Sequence, residues 1–349
     1  MRRAVCAVLL VWATAIGWAA EERPPKDLTE LSLEELMNLD ALSVDVLGTH
    51  THLGGEWMLG YEFKRVSMTG NLDGTTRLSN RDVLKRFDVS PTHMLMEMHM
   101  PMLMYAPSDD VTLTAMVPYL RNIMDHVTRE GARFNEKSDG IGDLELDGLI
   151  TVYRRARWAH RLIIDAGGSA PTGSIDAKQD NMRLEYPMQL GSGTFALRPG
   201  LTYLGQTERW AWVAETVETI RVGKNGNGYR LGNQYRVDGR IARKLTNWLS
   251  VSTQAEGRLW ENIHGADPEL KISDEPTKDP NAQGGKRVDL SFGVNLYVPQ
   301  GMLTGHPDYN NKGLRFAIQA GFPVYESLDG PQLGTDWFLS VGGSCTFTF

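Results

Sequence analysis

Cysteine is nearly absent: Cys6 and Cys345 are the two in 349 residues. Cys6 falls inside an N-terminal export signal, so the exported chain would keep Cys345 alone and form no intrachain disulfide. CxxC redox and zinc-finger patterns are excluded on the same count. A basic surplus is missing too. The formal charge is -7 and drops by two, to -9, once the signal takes away Arg2 and Arg3, a sign that disfavours a nucleic-acid partner. There is no GxSxG, HExxH or P-loop text and no DxDxDG calcium loop, so nothing points to an enzyme. After the first twenty residues, no apolar run reaches the roughly 20 residues of a membrane-spanning helix.

What is present begins with "MRRAVCAVLLVWATAIGWAA": a positive pair, an apolar stretch from Ala4 to Ile16, and small residues at the expected cut. Residues 1–20 therefore read as a signal peptide. Residues 21–52 read as a periplasmic N-terminal segment holding one short amphipathic helix, with Leu28, Leu31, Leu33, Leu36 and Met37 at helical spacing. That helix could cap the mouth of a barrel or dock a partner.

From residue 53 to 349 the dominant period is two. "TDWFLSVGGSCTFTF" sets Trp337, Leu339, Val341, Cys345 and Phe347 against Phe338, Ser340, Ser344 and Thr346. "RVDLSFGVNLY", "LRFAIQAGFPV" and "LSVSTQAEGRL" divide the same way into a greasy face and a small or polar one. About twelve such strands occur, each near or above the roughly 9 to 11 residues that cross a bilayer at a tilt. Tight turns such as "APSDD" alternate with longer polar loops at 69–91, 126–139, 172–191 and 261–285. The expected fold class is all-β, a transmembrane antiparallel β-barrel of the outer membrane with both termini periplasmic. Its surroundings would be outer-membrane lipid, and the terminal Phe349 would be read by the outer-membrane insertion machinery.

Several segments, among them "THLGGEWMLGYEF", "SDGIGDLELDGL", "PTGSID", "YPMQLGSGT", "NIHGADPEL" and "YESLDGPQL", resemble those of an outer-membrane transporter-like family associated with the meta-pathway of phenol degradation. The resemblance covers most of the exported chain. It implies an outer-membrane channel for a small-molecule solute. It does not by itself name phenol as that solute.

The most unusual stretch is "THMLMEMHMPMLMYAPSDD", with methionine at 94, 96, 98, 100, 102 and 104. A hairpin turning between Ser108 and Asp109 would set Met104 opposite Leu113 and Met100 opposite Val117, which makes the methionine face the lipid face. His93, Glu97 and His99 would then share the lumen with Thr112, Thr114, Met116, Asn122, Met124 and His126, because a lone carboxylate in hydrocarbon is costly. On this basis the solute path takes in Glu56, Glu62, Glu97, His99, Glu145 and Asp147 on one wall. Arg198, Arg230, Arg236, Arg240 and Arg258 belong to the other. Opposed charge rows would orient a dipolar solute, or would pair and plug the lumen. No cofactor is required. The alternative is a copper site of His93, Met124 and His126, imidazole with thioether, with His50 and His52 a second HxH pair near the periplasmic entry.

Overall fold

The computed structural model describes residues 50–155, 159–299 and 313–348. The expected signal peptide and amphipathic helix, residues 156–158 and 300–312, and Phe349 lie outside the described residues. The chain divides into two compact units, 1–36 and 37–349. The first falls outside the described residues, and the second carries the barrel.

In chain order the elements are β1 Glu56–Gly74, β2 Thr76–Leu78, a one-turn helix α1 Asn80–Val83, β3 Val89–Ser108, β4 Val111–Met116, β5 Tyr119–Thr128, β6 Arg133–Ile141, β7 Leu144–Arg155 and β8 His160–Ala170. Then come β9 Lys178–Gln179, β10 Met182–Arg183, β11 Phe195–Gln206, β12 Trp210–Val222, β13 Gln234–Lys244, β14 Leu249–Trp260, β15 Gly285–Pro299 and β16 Gly313–Thr348. Every pairing is antiparallel, and the ring closes because β1 pairs with both β3 and β16. It passes through eleven elements, β1, β16, β15, β14, β13, β12, β11, β8, β7, β4 and β3. The last element doubles back. Its first arm pairs with β15 up to Leu328 and its second arm with β1 from Leu328 on, with Gly330 at φ 80° between them. Counted as two staves, it brings the barrel to the expected twelve.

β5 continues the stave of β4, and β6 that of β7. Pro118 separates β4 from β5, since it has no N–H to give to the ladder. The segment 126–139, expected as a loop, is instead ladder on both sides of the short turn 129–132. The long connections that remain at that end are 171–194, 223–233 and 261–284.

The outer face is apolar, as the alternation requires. Phe292 is 53 % exposed, and Leu201, Ile241, Val294, Ile318 and Val341 point the same way. Their chain neighbours Thr202, Arg240, Ser291, Asn295, Gln319 and Ser340 are buried inside. Trp57 stacks on Tyr105 at 4.4 Å near the short-turn end, where amphipathic rings form an interfacial girdle.

β3 departs from expectation, and the departure is one residue. Met104 pairs with Thr114, Met102 with Met116, Met96 with Asn122 and Met94 with Met124, with an irregularity between Tyr105 and Ser108 that shifts the register. A one-residue slip exchanges the two faces of a strand. The methionines therefore point inward: Met94 and Met104 are buried, whereas Leu103 is 40 % exposed. Glu97 and His99 point outward. Glu97 is tolerable there because Arg121 Nη1 lies 3.3 Å and Arg65 Nε 3.7 Å from its carboxylate, so the charge is not alone. His99 Nδ1 lies 2.6 Å from the hydroxyl of Tyr61. Eight residues of tilted strand set Glu97 roughly 20 Å from the Trp57 girdle, toward the long-loop end.

Candidate functional site

The barrel interior is the site, and its wall changes character along its length. Near the short-turn end an apolar collar is made by Met58, Met104, Leu149 and Ile163, with Met102 against it. The segment before β1 enters here. His52 donates its backbone N–H to Thr112 Oγ1 at 3.0 Å, and Glu56 accepts from the Leu53 N–H at 3.0 Å. The His50 and His52 rings meet edge to face, and His50 Nε2 is 3.3 Å from Met58 Sδ.

Above the collar lies a belt of charge. Arg198 on β11 reaches Glu145 and, at 3.8 Å, Asp147, both on β7. Arg240 on β13 holds Asp238 and Glu215 at 2.6 Å each, and Arg236 lies 3.2 Å from Glu215. Arg258 pairs with Glu256 on its own strand, and Arg287 with Asp289. Glu56, Glu62, Glu145, Asp147, Arg198, Arg236, Arg240 and Arg258 thus sit on the inward rows, as alternation places them. The charges do not form two opposed rows. Each of these arginines finds an acid on its own or a nearby strand, because the inward rows also carry Glu215, Asp238, Glu256 and Asp289.

Three expected site residues are corrected by position. Glu97 and His99 belong to the outer face, by the register shift. Arg230 is on no barrel strand: it lies in the connection 223–233, bridged to His264, and its Nη1 donates to the Arg221 carbonyl at 3.2 Å. The copper set fails for the same geometric reason. His93 is on the outer face of β3, 3.3 Å from Asp125, whereas Met124 and His126 are buried inside. A strand wall separates His93 from His126, so the three cannot share an ion.

At the long-loop end, the connections fold into the mouth. Leu184 and Met188 pack on Met94 and Met124. Tyr186, Tyr229, Ile263 and Leu270 form a second apolar cluster joining three connections. Arg183 ties 171–194 to 261–284 through Asp267 at 3.1 Å and Glu269 at 2.7 Å. Gly191 and Gly173 approach so closely that a Cβ on Gly191 would lie 2.4 Å from the Gly173 carbonyl oxygen.

Beneath this lid four side chains converge that the sequence does not bring together. His126 Nε2 lies 3.7 Å from Glu185 Oε1, 3.7 Å from Glu275 Oε1 and 3.9 Å from Glu136 Oε2. Glu185 and Glu275 each stand at the entry of a short 3₁₀ turn, Tyr186–Met188 and Pro276–Lys278. Burial raises the Glu185 carboxyl well above the usual range, and the neighbouring Glu275 and Glu136 charges add to it. Burial likewise pushes Glu275 up to about 8, against the pull of Lys278. Of these four, His126 alone stands out in the sequence. The glutamates come from β6 and from two loops, so no local spacing announces them.

A comparison with curated protein sequences gives no match. Among solved structures, the COG4313 outer membrane channel from Pseudomonas putida F1 is similar at 12% identity and a TM-score of 0.59, covering 87% of this chain and 100% of that one. A Pseudomonas aeruginosa FadL homologue (12% identity, TM-score 0.38) and the P. putida toluene transporter TodX (11%, 0.40) each cover 84% of this chain and 90% of their own. The first likeness shows the fold, an outer-membrane type β-barrel. At the level of sequence, residues 79–298 match the family described as "Putative MetA-pathway of phenol degradation", and the chain belongs to that family.

Proposed function

We propose that the chain is an outer-membrane channel for small hydrophobic or aromatic solutes, with the long connections at the outer surface and the short turns in the periplasm. The observation that carries the reading is the inward row of methionines on β3. From Met94 to Met104, with Met58, Met68, Met116 and Met124 beside it, an unbranched, polarizable strip runs from the lid toward the collar. Such side chains adapt to apolar guests of varied shape. The neighbouring charge belt is paired within the wall, which leaves the thioether strip as the apolar track. The likeness to an outer membrane channel supports the barrel part of the reading, and the family supports the choice of an aromatic solute as probe.

The test is flux into proteoliposomes of a small neutral aromatic alcohol, alongside planar-bilayer conductance. The wild-type barrel should pass the solute, and the pair Met98→Asp with Met100→Asp should slow it at least about tenfold by making the strip polar. A heat-modifiable wild-type barrel with neither conductance nor flux would overturn the channel. Unchanged flux in the double variant would remove the strip as its path.

A further inference from the structure

The cluster at the long-loop end holds buried groups that lack partners. Neither ring nitrogen of His126 and neither carboxylate oxygen of Glu185 has a hydrogen-bond partner, and Glu136 Oε2 has none. The side chains of His126, Glu185 and Glu275 are at most 2 % exposed. Unsatisfied buried polar atoms are rare in folded proteins because removing them from water without a substitute is unfavourable, and three of them, His126 Nε2, Glu185 Oε1 and Glu136 Oε2, meet beside the Glu275 carboxylate and call for a ligand.

We propose that His126, Glu185 and Glu275, with Glu136 as a fourth donor, bind a divalent first-row transition cation, Zn²⁺ or Mn²⁺, which ties the connections 171–194 and 261–284 to the β5 wall. The separations fit. Nitrogen-to-oxygen distances of 3.7 to 3.9 Å are too long for hydrogen bonds. Donors about 2.0 to 2.2 Å from a tetrahedral ion stand roughly 3.3 to 3.6 Å apart, so small side-chain rotations close the gap. The ligand atoms of His126, Glu185 and Glu275 already lie within 4.8 Å of one another. Outer contacts hold the donors in place. The His126 ring stacks on Phe134 at 4.9 Å and 13°, and the Thr277 hydroxyl donates to the Glu275 carboxylate. The donor set selects the ion. One imidazole with carboxylates suits Zn²⁺ or Mn²⁺, calcium wants six to eight oxygens, and a copper(I) site would draw on the thioethers of Met124 and Met188, which pack with each other and with leucine.

The site is independent of what the barrel transports, so its test uses binding and loop protection rather than flux. Purified full-length protein in detergent is stripped with chelator and titrated calorimetrically with Zn²⁺, Mn²⁺ and Ca²⁺. About one equivalent of Zn²⁺ or Mn²⁺ should bind, and Glu185→Gln and His126→Gln should each weaken it at least about 100-fold while keeping heat-modifiable mobility. Bound ion should also slow trypsin at Arg183 and Lys271 in the two connections. The assignment falls if the wild type binds neither ion, which is the outcome for a cluster that merely shares protons. It falls equally if the variants bind as tightly, or if the ion leaves trypsin cleavage unchanged.

Discussion

Arginine at Met100 discriminates between the two faces of β3. Met100 stands near the middle of Val89–Ser108, directly across from Glu62 on β1. Phe292 stands at the middle of Gly285–Pro299 on the apolar outer face, 53 % exposed. An arginine facing lipid near the midplane of a β-barrel costs about 2 to 4 kcal/mol, which lowers the folding equilibrium by roughly 30-fold to 1,000-fold. Phe292→Arg should show that loss. Met100→Arg projects into the lumen within reach of the Glu62 carboxylate, where the charge stays solvated or paired, so its loss should be within about 1 kcal/mol. Guanidinium unfolding in phospholipid vesicles, followed by tryptophan emission, measures both against wild type. If the two variants lose comparable stability, Met100 faces lipid, and the register at residues 105–108 is wrong together with the solute path built on it.

Replacing Arg240 by Met removes the donors held at 2.6 Å by the buried carboxylates of Asp238 and Glu215, and should cost about 3 to 5 kcal/mol in the same unfolding assay; a loss under about 1 kcal/mol would mean that lumen water replaces the guanidinium. Gly191→Ala forces a Cβ against the Gly173 carbonyl, backbone against side chain, so the connection 171–194 should undock and become protease-sensitive while the barrel stays heat-modifiable. In chelator-treated protein the lid should loosen as pH rises. The Glu275 carboxyl, facing Glu136, Glu185, His126 and Lys278, is pushed up to about 8 when docked against 4.5 when free, so docking favours the protonated form and weakens between about pH 5 and pH 8. Limited proteolysis at pH 6 and pH 9 reads this directly, and greater protection at pH 9 would contradict the sign.

Where one face of a strand is plainly greasy, sequence alone suffices. Val288, Phe292 and Val294, or Trp337, Leu339 and Val341, face outward as alternation requires, and Arg198, Arg236, Arg240, Arg258, Glu145 and Asp147 follow inward on their own strands. β3 is different, since both of its faces are mixed. Methionine alternates with Leu95, Glu97, His99, Pro101, Leu103 and Tyr105, so hydrophobicity does not choose between them. Glu97 need not avoid the outer face, because Arg65 and Arg121 reach it from the neighbouring strands.

By itself the sequence determined a closed, antiparallel, twelve-stave barrel with an apolar outside, because period-two alternation over long strands admits few other burials. Tertiary structure decided the rest: which way β3 faces, whether the lumen charges stand apart or pair, and the meeting of His126 with Glu136, Glu185 and Glu275. The physical reason is the same in each case. Alternation defines two faces per strand, but the ladder to the next strand decides which is inside, and a single irregular residue near the turn at Asp109–Asp110 reverses the answer.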